Sequence, residues 1–371
     1  MIRVFEPEIT KNDIASVSNS LKKTYISGTS PVIKEFEESL CEKFSRKYAV
    51  TVSNGSVALD LSLELLGLSE GDEVILPSHT IISCLAAVIR SKATPIFCDV
   101  NPNSWNMTAD SVEKVITKKT KVVLLVHTFG LPAEAKKIEE LCKNKNIILI
   151  EDAAEAHGQY ESNIACGSFG KISTFSFYAN KHVTTGEGGA LLTDSKVIYN
   201  RALQMRNLDF STQQRFKTDH LYWNYRLSGL QAALGNSQIN NLDKTIEKKI
   251  IQGNYYQALL EKYSDILTLP LKEHNGSTNH YWVFGIVLKK KNIRDKVMKD
   301  LFELGIETRP FFWPLHLQPS LPLKFKKKNR ELHVSEDIGK NGLYIPLGHH
   351  ISKKLQLKIV RCLIEAINKN I

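Results

Sequence analysis

The chain has few cysteines and no long apolar run, and both shortages narrow the class of protein. Its six cysteines are scattered, and none belongs to a C-x-x-C pair. We therefore expect neither a disulfide framework nor a cysteine-based zinc site. The apolar runs, such as residues 122–126, have strand length and are too short to cross a bilayer. Because the first residues include acidic side chains instead of an apolar signal core, we expect a soluble, cytoplasmic protein with no membrane partner.

Length and charge narrow the class further. The 371 residues carry a formal net charge of +10, and 42% of them are hydrophobic. This length predicts two domains, and the apolar content can fill a large interior. A basic chain can bind nucleic acid, but much of the excess charge lies in lysine-rich runs at residues 289–291 and 324–328, which are typical of surface turns. Since no helix-turn-helix or basic helix is evident, we predict no nucleic-acid partner.

Short apolar runs alternate with helical patterns from about residue 34 to residue 195. For example, leucines recur at helical spacing within residues 56–66. Such alternation predicts an α/β fold with a mostly parallel sheet that helices cover on both faces. The runs of strand length are residues 48–52, 73–76, 95–98, 122–126, 147–150, 174–177 and 190–193.

The pattern changes in the last third of the chain. Residues 230–262 show a long helical pattern, and a mixed pattern of strands and helices, typical of an α+β fold, follows them. We place a domain boundary near residue 240. It separates a large domain, residues 1–240, from a small C-terminal domain, residues 241–371.

Two charged residues stand just past buried strands. Asp152 ends an apolar run, and Lys181 follows another run and precedes a glycine-rich turn at residues 184–189. Functional groups gather at the carboxyl ends of parallel strands. Pyridoxal phosphate chemistry needs these two protein groups, because the lysine forms the Schiff base and the acid keeps the pyridine nitrogen protonated. The pair predicts a pyridoxal phosphate site.

Other polar residues suit the same cofactor. Gly55 and Ser56 lie between a strand and a helix, where backbone N–H groups can bind a phosphate. Ser176, five residues before the lysine, can donate its hydroxyl to that phosphate, and Glu155 can meet the ring hydroxyl. Each signal is modest alone, since an acid at a strand end is often a helix cap or a metal ligand. No set of further carboxylates or histidines accompanies Asp152 in the sequence, so we predict no metal.

Longer segments resemble the DegT/DnrJ/EryC1/StrS family of pyridoxal-phosphate sugar aminotransferases. They extend from about residue 25 to residue 320 and include SNGSVALDLSLELLGLSEGDEVILPSHT, IEDAAEAHG, STFSFYANKHVTTGEGGALLTD, WNYRLSGLQAALG and GIETRPFFWPLH. The resemblance implies the fold of aspartate aminotransferase (type I), with a mixed, mostly parallel seven-stranded sheet and a smaller α+β C-terminal domain. It also implies a homodimer with shared active sites, in which Asn224 reaches the cofactor phosphate of the neighbouring subunit.

The same resemblance implies an activity. Lys181 moves protons in two half-reactions, which carry an amino group from L-glutamate to carbon 4 of a nucleotide-linked 4-keto-6-deoxyhexose. Residues 306–310 and 314–316 favour GDP-4-keto-6-deoxymannose as substrate and GDP-perosamine as product, with Arg309 and His316 over the sugar nucleotide. The alternatives are UDP- or dTDP-4-keto-6-deoxyglucose and, outside the enzymes, a regulatory protein that binds pyridoxal phosphate without catalysis.

Two histidines qualify the resemblance. His79 stands where many family members place an aromatic ring against the cofactor, and we expect its imidazole to stack there or to pack in the interior. His182 directly follows Lys181, and one branch of the family has histidine in place of the lysine and catalyses dehydration. Because lysine is present at position 181, transamination is favoured. Adjacent side chains of an extended segment point to opposite sides, so we expect His182 to face away from the cofactor.

Overall fold

The structure, a computed structural model, describes residues 1–210, 215–326 and 331–371. Its helices are α1 (Lys11–Lys22), α2 (Pro31–Lys43), α3 (Gly55–Glu64), α4 (Ile82–Arg90), α5 (Ala109–Glu113), α6 (Ala135–Lys145), α7 (Lys196–Arg206), α8 (Gly229–Ile239), α9 (Leu242–Leu260), α10 (Arg294–Glu303), α11 (Leu323–Lys326), α12 (His333–Asn341) and α13 (Lys353–Asn370). Its strands are β1 (Tyr48–Val52), β2 (Glu73–Pro77), β3 (Thr94–Cys98), β4 (Thr120–Val126), β5 (Ile148–Asp152), β6 (Tyr160–Glu161), β7 (Ile164–Ala165), β8 (Ile172–Ser176), β9 (Gly189–Thr193), β10 (Leu267–Thr268), β11 (Glu273–His274), β12 (Ser277–Thr278), β13 (Phe284–Leu288), β14 (Arg309–Pro310) and β15 (Gly342–Ile345).

A seven-stranded sheet forms the centre of the molecule, in the order β1-β9-β8-β5-β4-β2-β3. Strand β9 is antiparallel to both of its neighbours, and the other pairs are parallel. Each strand lies within two residues of the apolar run that predicted it. The expected α/β fold with a mixed, mostly parallel sheet is therefore confirmed.

Apolar residues on both faces of the sheet explain why its central strands read as unbroken hydrophobic runs. Within β2, Val74 and Leu76 join a core that includes Leu85 of α4. Ile75, between them, joins the opposite core with Ile138 of α6. Side chains alternate across a strand, so a sheet covered on both faces needs apolar residues at consecutive positions.

A second, four-stranded antiparallel sheet lies in the C-terminal region, in the order β10-β13-β15-β14. Helix α9 bridges the two regions. Leu242 and Ile246 at its start pack into a core of the large sheet, and Tyr256 and Leu260 near its end pack into the core of the small one. The N-terminal residues also reach the small sheet region, since Ile2 pairs with residue 306. The boundary near residue 240 stays a prediction.

The lysine-rich runs and the apolar segments can be compared with the expectations from the sequence. Residues 289–291 are exposed and follow β13 in a turn, as expected. Of the run at 324–328, the last two lysines lie outside the described residues. None of the helices in the described ranges is both long and apolar enough to cross a membrane.

Candidate active site

A cleft of about 490 Å³ opens at the carboxyl ends of β5 and β8. Its walls come from the N-terminus of α3, from the turn between β8 and β9, and from aromatic residues of the C-terminal region. The structure brings six of the predicted residues together at this one cleft. They are Gly55, Ser56, Asp152, Glu155, Ser176 and Lys181.

Asp152 is the last residue of β5, and its carboxylate is almost fully buried. Its Oδ1 accepts a hydrogen bond from the N–H of Ala154 at 3.0 Å, and its Oδ2 accepts one from the thiol of Cys84 at 3.5 Å. Burial raises the pKa of Asp152, because a carboxylate loses its hydration in the interior. A cationic group in the cleft would offset that cost, and a protonated pyridine nitrogen is such a group.

Lys181 lies in the turn between β8 and β9, where its N–H donates to the carbonyl of Tyr178 at 2.9 Å. Its side chain is only 9% exposed. The amine nitrogen is 3.4 Å from Oε1 of Glu155 and 3.8 Å from the centroid of the Trp282 ring. A lysine side chain that is so enclosed has few conformations, and its amine is held close to Glu155.

Glu155 is buried beside that amine. Its second oxygen, Oε2, accepts the N–H of Phe129 at 2.9 Å. Burial raises the pKa of Glu155 to about 7, although the charge of Lys181 and the hydrogen bond from Phe129 act in the opposite direction. A carboxyl group with this pKa can hold or release a proton near neutral pH, next to the amine that would move protons in catalysis.

The variant Glu155→Gln should gain stability over the wild type as the pH rises. Between the unfolded pKa near 4.5 and the folded pKa near 7, the folded state keeps a proton that the unfolded state releases, so the wild type loses stability towards pH 7. The difference should reach about 3 kcal/mol at pH 8 and stay below about 1 kcal/mol at pH 5. Urea unfolding of the cofactor-free protein at both pH values measures it.

The exposed Glu247 on α9 offers a matched control, because Glu247→Gln removes a solvated carboxylate. Its stability relative to wild type should be the same at pH 5 and pH 8. A Glu155→Gln difference that does not change between the two pH values would show that burial does not hold a proton on Glu155.

Helix α3 begins at the other end of the cleft, with Asn54 as its N-cap residue and its Oδ1 accepting from the N–H of Val57 at 3.0 Å. Close backbone approach explains two glycines here. A Cβ on Gly55 would lie 2.7 Å from Cβ of Ser176, and one on Gly189 would lie 2.5 Å from the backbone of Asn54. The first N–H groups of a helix have no partners within it and carry partial positive charge. This end of the cleft suits a phosphate.

The donor set of the cleft fits pyridoxal phosphate. It combines a helix N-terminus with the Ser56 and Ser176 hydroxyls for the phosphate, a buried carboxylate at Asp152 for the ring nitrogen, and an enclosed amine at Lys181 for the aldehyde. The Ser56 hydroxyl is also 2.7 Å from the hydroxyl of Ser83, which lines the same cleft.

Sequence reasoning missed the aromatic part of the cleft wall. Besides Phe175 of β8, four aromatic side chains line the cleft: the loop before β13, the segment after β14 and strand β15 supply three of them, and the turn after β8 supplies the fourth. Only general aromatic content marks the first three in a sequence, because they reach the cleft through long-range packing, whereas the fourth lies three residues before Lys181. The four are, in that order, Trp282, Phe312, Tyr344 and Tyr178.

The two histidines that the sequence singled out, His79 and His182, do not line the main cleft. His79 is fully buried, with the ring centroids of Phe129 and Phe311 5.5 and 5.6 Å from its own. Burial lowers the pKa of His79 to about 3, so its ring is neutral. It packs in the interior here, and a stacking contact with the cofactor stays a prediction. His182 lines a smaller cavity and not the main cleft, although it lies with Lys181 in a turn and not in the extended segment that was expected.

Three further predicted residues also lie outside the cleft of their own chain. Arg309 is exposed in β14 and pairs with Glu307. His316 is buried instead of facing the cleft, with its Nδ1 2.6 Å from the hydroxyl of Ser78. Asn224 is exposed, as a residue that reaches a neighbouring subunit would be. The substrate roles of Arg309 and His316 and the cofactor role of Asn224 stay predictions.

A buried cluster of possible metal ligands, which the sequence did not reveal, includes the residue before Asp152. One ligand atom each from His127, Glu151 and Cys166 lies within 4.8 Å of the others. Nδ1 of His127 accepts the N–H of Ala133 at 3.0 Å, and Nε2 is 2.8 Å from Glu151. Glu151 also accepts the N–H of Phe169 at 3.0 Å. These contacts occupy the ligand atoms of His127 and Glu151, and the contact of Glu151 with Phe169 anchors the loop before β8.

Comparison with known proteins identifies relatives of the chain. The chain is 37% identical over 345 residues to GDP-perosamine synthase of Escherichia coli O157:H7, with 93% of each chain covered. It is 35% identical to GDP-perosamine synthase of Vibrio cholerae, covering 86% of this chain and 87% of the relative. The crystal structure of the aminotransferase TlmJ from Streptoalloteichus hindustanus superposes with a TM-score of 0.93 at 27% identity, covering 100% of this chain and 99% of the other.

The DegT/DnrJ/EryC1/StrS aminotransferase family itself matches residues 7–364. This match and the TlmJ superposition confirm the expected type I fold. They also confirm that the protein is an aminotransferase whose cofactor is pyridoxal phosphate. The chain belongs to the DegT/DnrJ/EryC1/StrS aminotransferase family.

Proposed function

We propose that this protein transfers the amino group of L-glutamate to carbon 4 of GDP-4-keto-6-deoxymannose and forms GDP-perosamine. The observation that carries the reaction type is the enclosed Lys181 amine, 3.4 Å from Glu155 in a cleft that also contains Asp152. The choice of substrate is supported by the two GDP-perosamine synthases, which are 35% and 37% identical to this chain.

Four parts of the cleft have separate tasks in this proposal. When bound, pyridoxal phosphate supplies an aldehyde and an electron-withdrawing ring. Lys181 takes the proton from the α-carbon of L-glutamate and, in the second half-reaction, returns a proton to carbon 4 of the sugar. Asp152 places a negative charge at the ring nitrogen, and the N-terminus of α3 holds the phosphate. Glu155 beside Lys181 provides a group whose charge can change near neutral pH.

A homodimer with shared active sites is part of the proposal. Near Asn224, three apolar side chains are strongly exposed: Phe216 by 82%, Leu221 by 96% and Trp223 by 71%. Apolar side chains grouped in this way on a surface favour association. A twofold dimer that covers this segment would bring Asn224 towards a second subunit.

A single-turnover panel tests the substrate. The enzyme is first aminated with L-glutamate and then mixed with the GDP-, UDP- and dTDP-linked 4-keto-6-deoxyhexoses, while the return of the visible cofactor absorbance is followed. We expect the GDP-linked sugar to react at least about tenfold faster, which corresponds to about 1.4 kcal/mol in transition-state binding.

The panel also distinguishes this function from the alternative substrates and from a non-catalytic regulatory protein. A faster reaction with a UDP- or dTDP-linked sugar would overturn the GDP assignment and leave transamination in place. Failure of L-glutamate to change the absorbance at all would favour a regulatory protein that binds the cofactor without catalysis. The free 4-keto sugar without a nucleotide serves as the control, and it should react slowly.

A further inference from the structure

Trp282 is fixed at three points around the reacting lysine. Its indole N–H donates to the carbonyl of Asn180 at 2.9 Å, one residue before Lys181. Its ring stands against the Lys181 amine, 3.8 Å from nitrogen to ring centroid. Its own backbone carbonyl accepts a hydrogen bond from Nζ of Lys249 at 2.7 Å. These contacts connect the turn between β8 and β9, the loop before β13 and helix α9 at a single residue.

Lys249 differs from the lysine beside it. Lys248 is exposed and pairs with Glu8 at 2.7 Å. Lys249 is partly buried, and within the described ranges no carboxylate lies within ion-pair distance of it. Burial, together with the charge of Lys181, lowers the pKa of Lys249 to about 7. Enclosing an amine without an acid is unfavourable, so a role for its contact with Trp282 is expected.

A small cavity of about 50 Å³, distinct from the main cleft, brings Lys249 and Lys181 into one lining. Both lysines line it, together with the N-terminal residues 5–8 and His182. Lys181 therefore contacts Glu155 and the Trp282 ring, and it shares a second cavity with Lys249. The two amines interact electrostatically, since the charge of Lys181 lowers the pKa of Lys249.

We propose that Trp282 and Lys249 form a positioning unit for the Lys181 amine. The ring of Trp282 holds the amine beside Glu155, and Lys249 fixes the backbone of Trp282 from behind. An amine held near its bonding geometry reacts faster than one that samples many rotamers. The inference rests on the proposed function only in that Lys181 is the reacting amine, and it does not depend on which nucleotide sugar is the substrate.

The first measurement uses the cofactor-free protein and no sugar nucleotide. Condensation of the Lys181 amine with the aldehyde of pyridoxal phosphate forms a carbon–nitrogen double bond and releases water, and the visible absorbance reports its rate. Trp282→Leu and Lys249→Met should each slow this step about tenfold. Pyridoxal without phosphate should show the same loss, because the defect lies in the amine and not in phosphate binding.

Conservative variants and controls separate positioning from folding. Lys249→Arg keeps a donor for the Trp282 carbonyl and should react at close to the wild-type rate, and Trp282→Phe should lie between wild type and Trp282→Leu. Lys248→Met changes the exposed neighbour of Lys249, which pairs with Glu8 instead of contacting Trp282, and it should have no effect. In the loaded enzyme, kcat should fall with the condensation rate, while KM for L-glutamate should stay within about threefold.

The double variant decides whether the two residues act as one unit. If they do, Trp282→Leu combined with Lys249→Met should be no slower than either change alone. Multiplied losses in the double variant would overturn the proposal, as would condensation rates within twofold of wild type in both single variants. Borohydride trapping and mass spectrometry identify the labelled lysine, and a label on Lys249 would also contradict the assignment.

Discussion

Lys181→Ala should lower the rate of amino transfer by about 10⁴-fold and leave a folded protein. Alanine can neither bond to the cofactor aldehyde nor move a proton. The fold should survive, because Glu155, which loses its partner at 3.4 Å, has a pKa of about 7 and can become neutral. Stopped-flow absorbance after mixing with L-glutamate measures the rate, and circular dichroism checks the fold.

Two controls sharpen this experiment. Lys171→Ala, which changes an exposed lysine just before β8, should keep full activity. Borohydride should attach the cofactor irreversibly to the wild type and not to Lys181→Ala, although the variant should still bind the cofactor through the N-terminus of α3 and Asp152. Addition of a small primary amine should restore part of the rate. Amino sugar formation at the normal rate in the variant would show that another group moves the proton.

Local patterns in the sequence were enough to predict the strands of the sheet and six of the residues that line the cleft. The strand β2 is buried at every position, so an unbroken apolar run marks it. Asp152 and Ser176 each end a strand and therefore fall at the same edge of the sheet. The reversed direction of β9 could not be predicted from its residues, since an apolar run is the same in either direction. The resemblance to a family, not the composition, supplied the mixed sheet.

Contacts between distant segments were beyond the reach of local patterns. Trp282 meets Lys181 only because the loop before β13 packs against helix α9 and the turn after β8, and no spacing in the sequence records that packing. His316 is the opposite case, a residue that a sequence motif did mark. Its motif marked a position in the family, but the direction of the side chain depends on Ser78 and Glu336, which hold the ring inside the protein.

Asp152→Ala should lower kcat by about 10²- to 10³-fold, because the methyl group supplies no negative charge at the ring nitrogen. The loss of stability should be a few kcal/mol, because two opposite effects offset each other only in part. Burial already raises the pKa of Asp152, so the variant no longer encloses a costly charge, and it leaves two donors, the Ala154 N–H and the Cys84 thiol, without their acceptor. Each unpaired donor costs about 1–3 kcal/mol. Single-turnover rates with L-glutamate and thermal unfolding measure the two effects.

A permanently charged cofactor tests whether the charge of Asp152 is the cause. The N-methylated form of pyridoxal phosphate is positive at the ring nitrogen without any acid beside it, and the shortened side chain leaves room for its methyl group. It should restore a large part of the rate in Asp152→Ala and little in the wild type, where Asp152 occupies that space. Asp265→Ala, at an exposed position, should behave like the wild type with each of the two cofactors. If the methylated cofactor binds to Asp152→Ala without raising its rate, then the carboxylate acts through local structure and not through its charge.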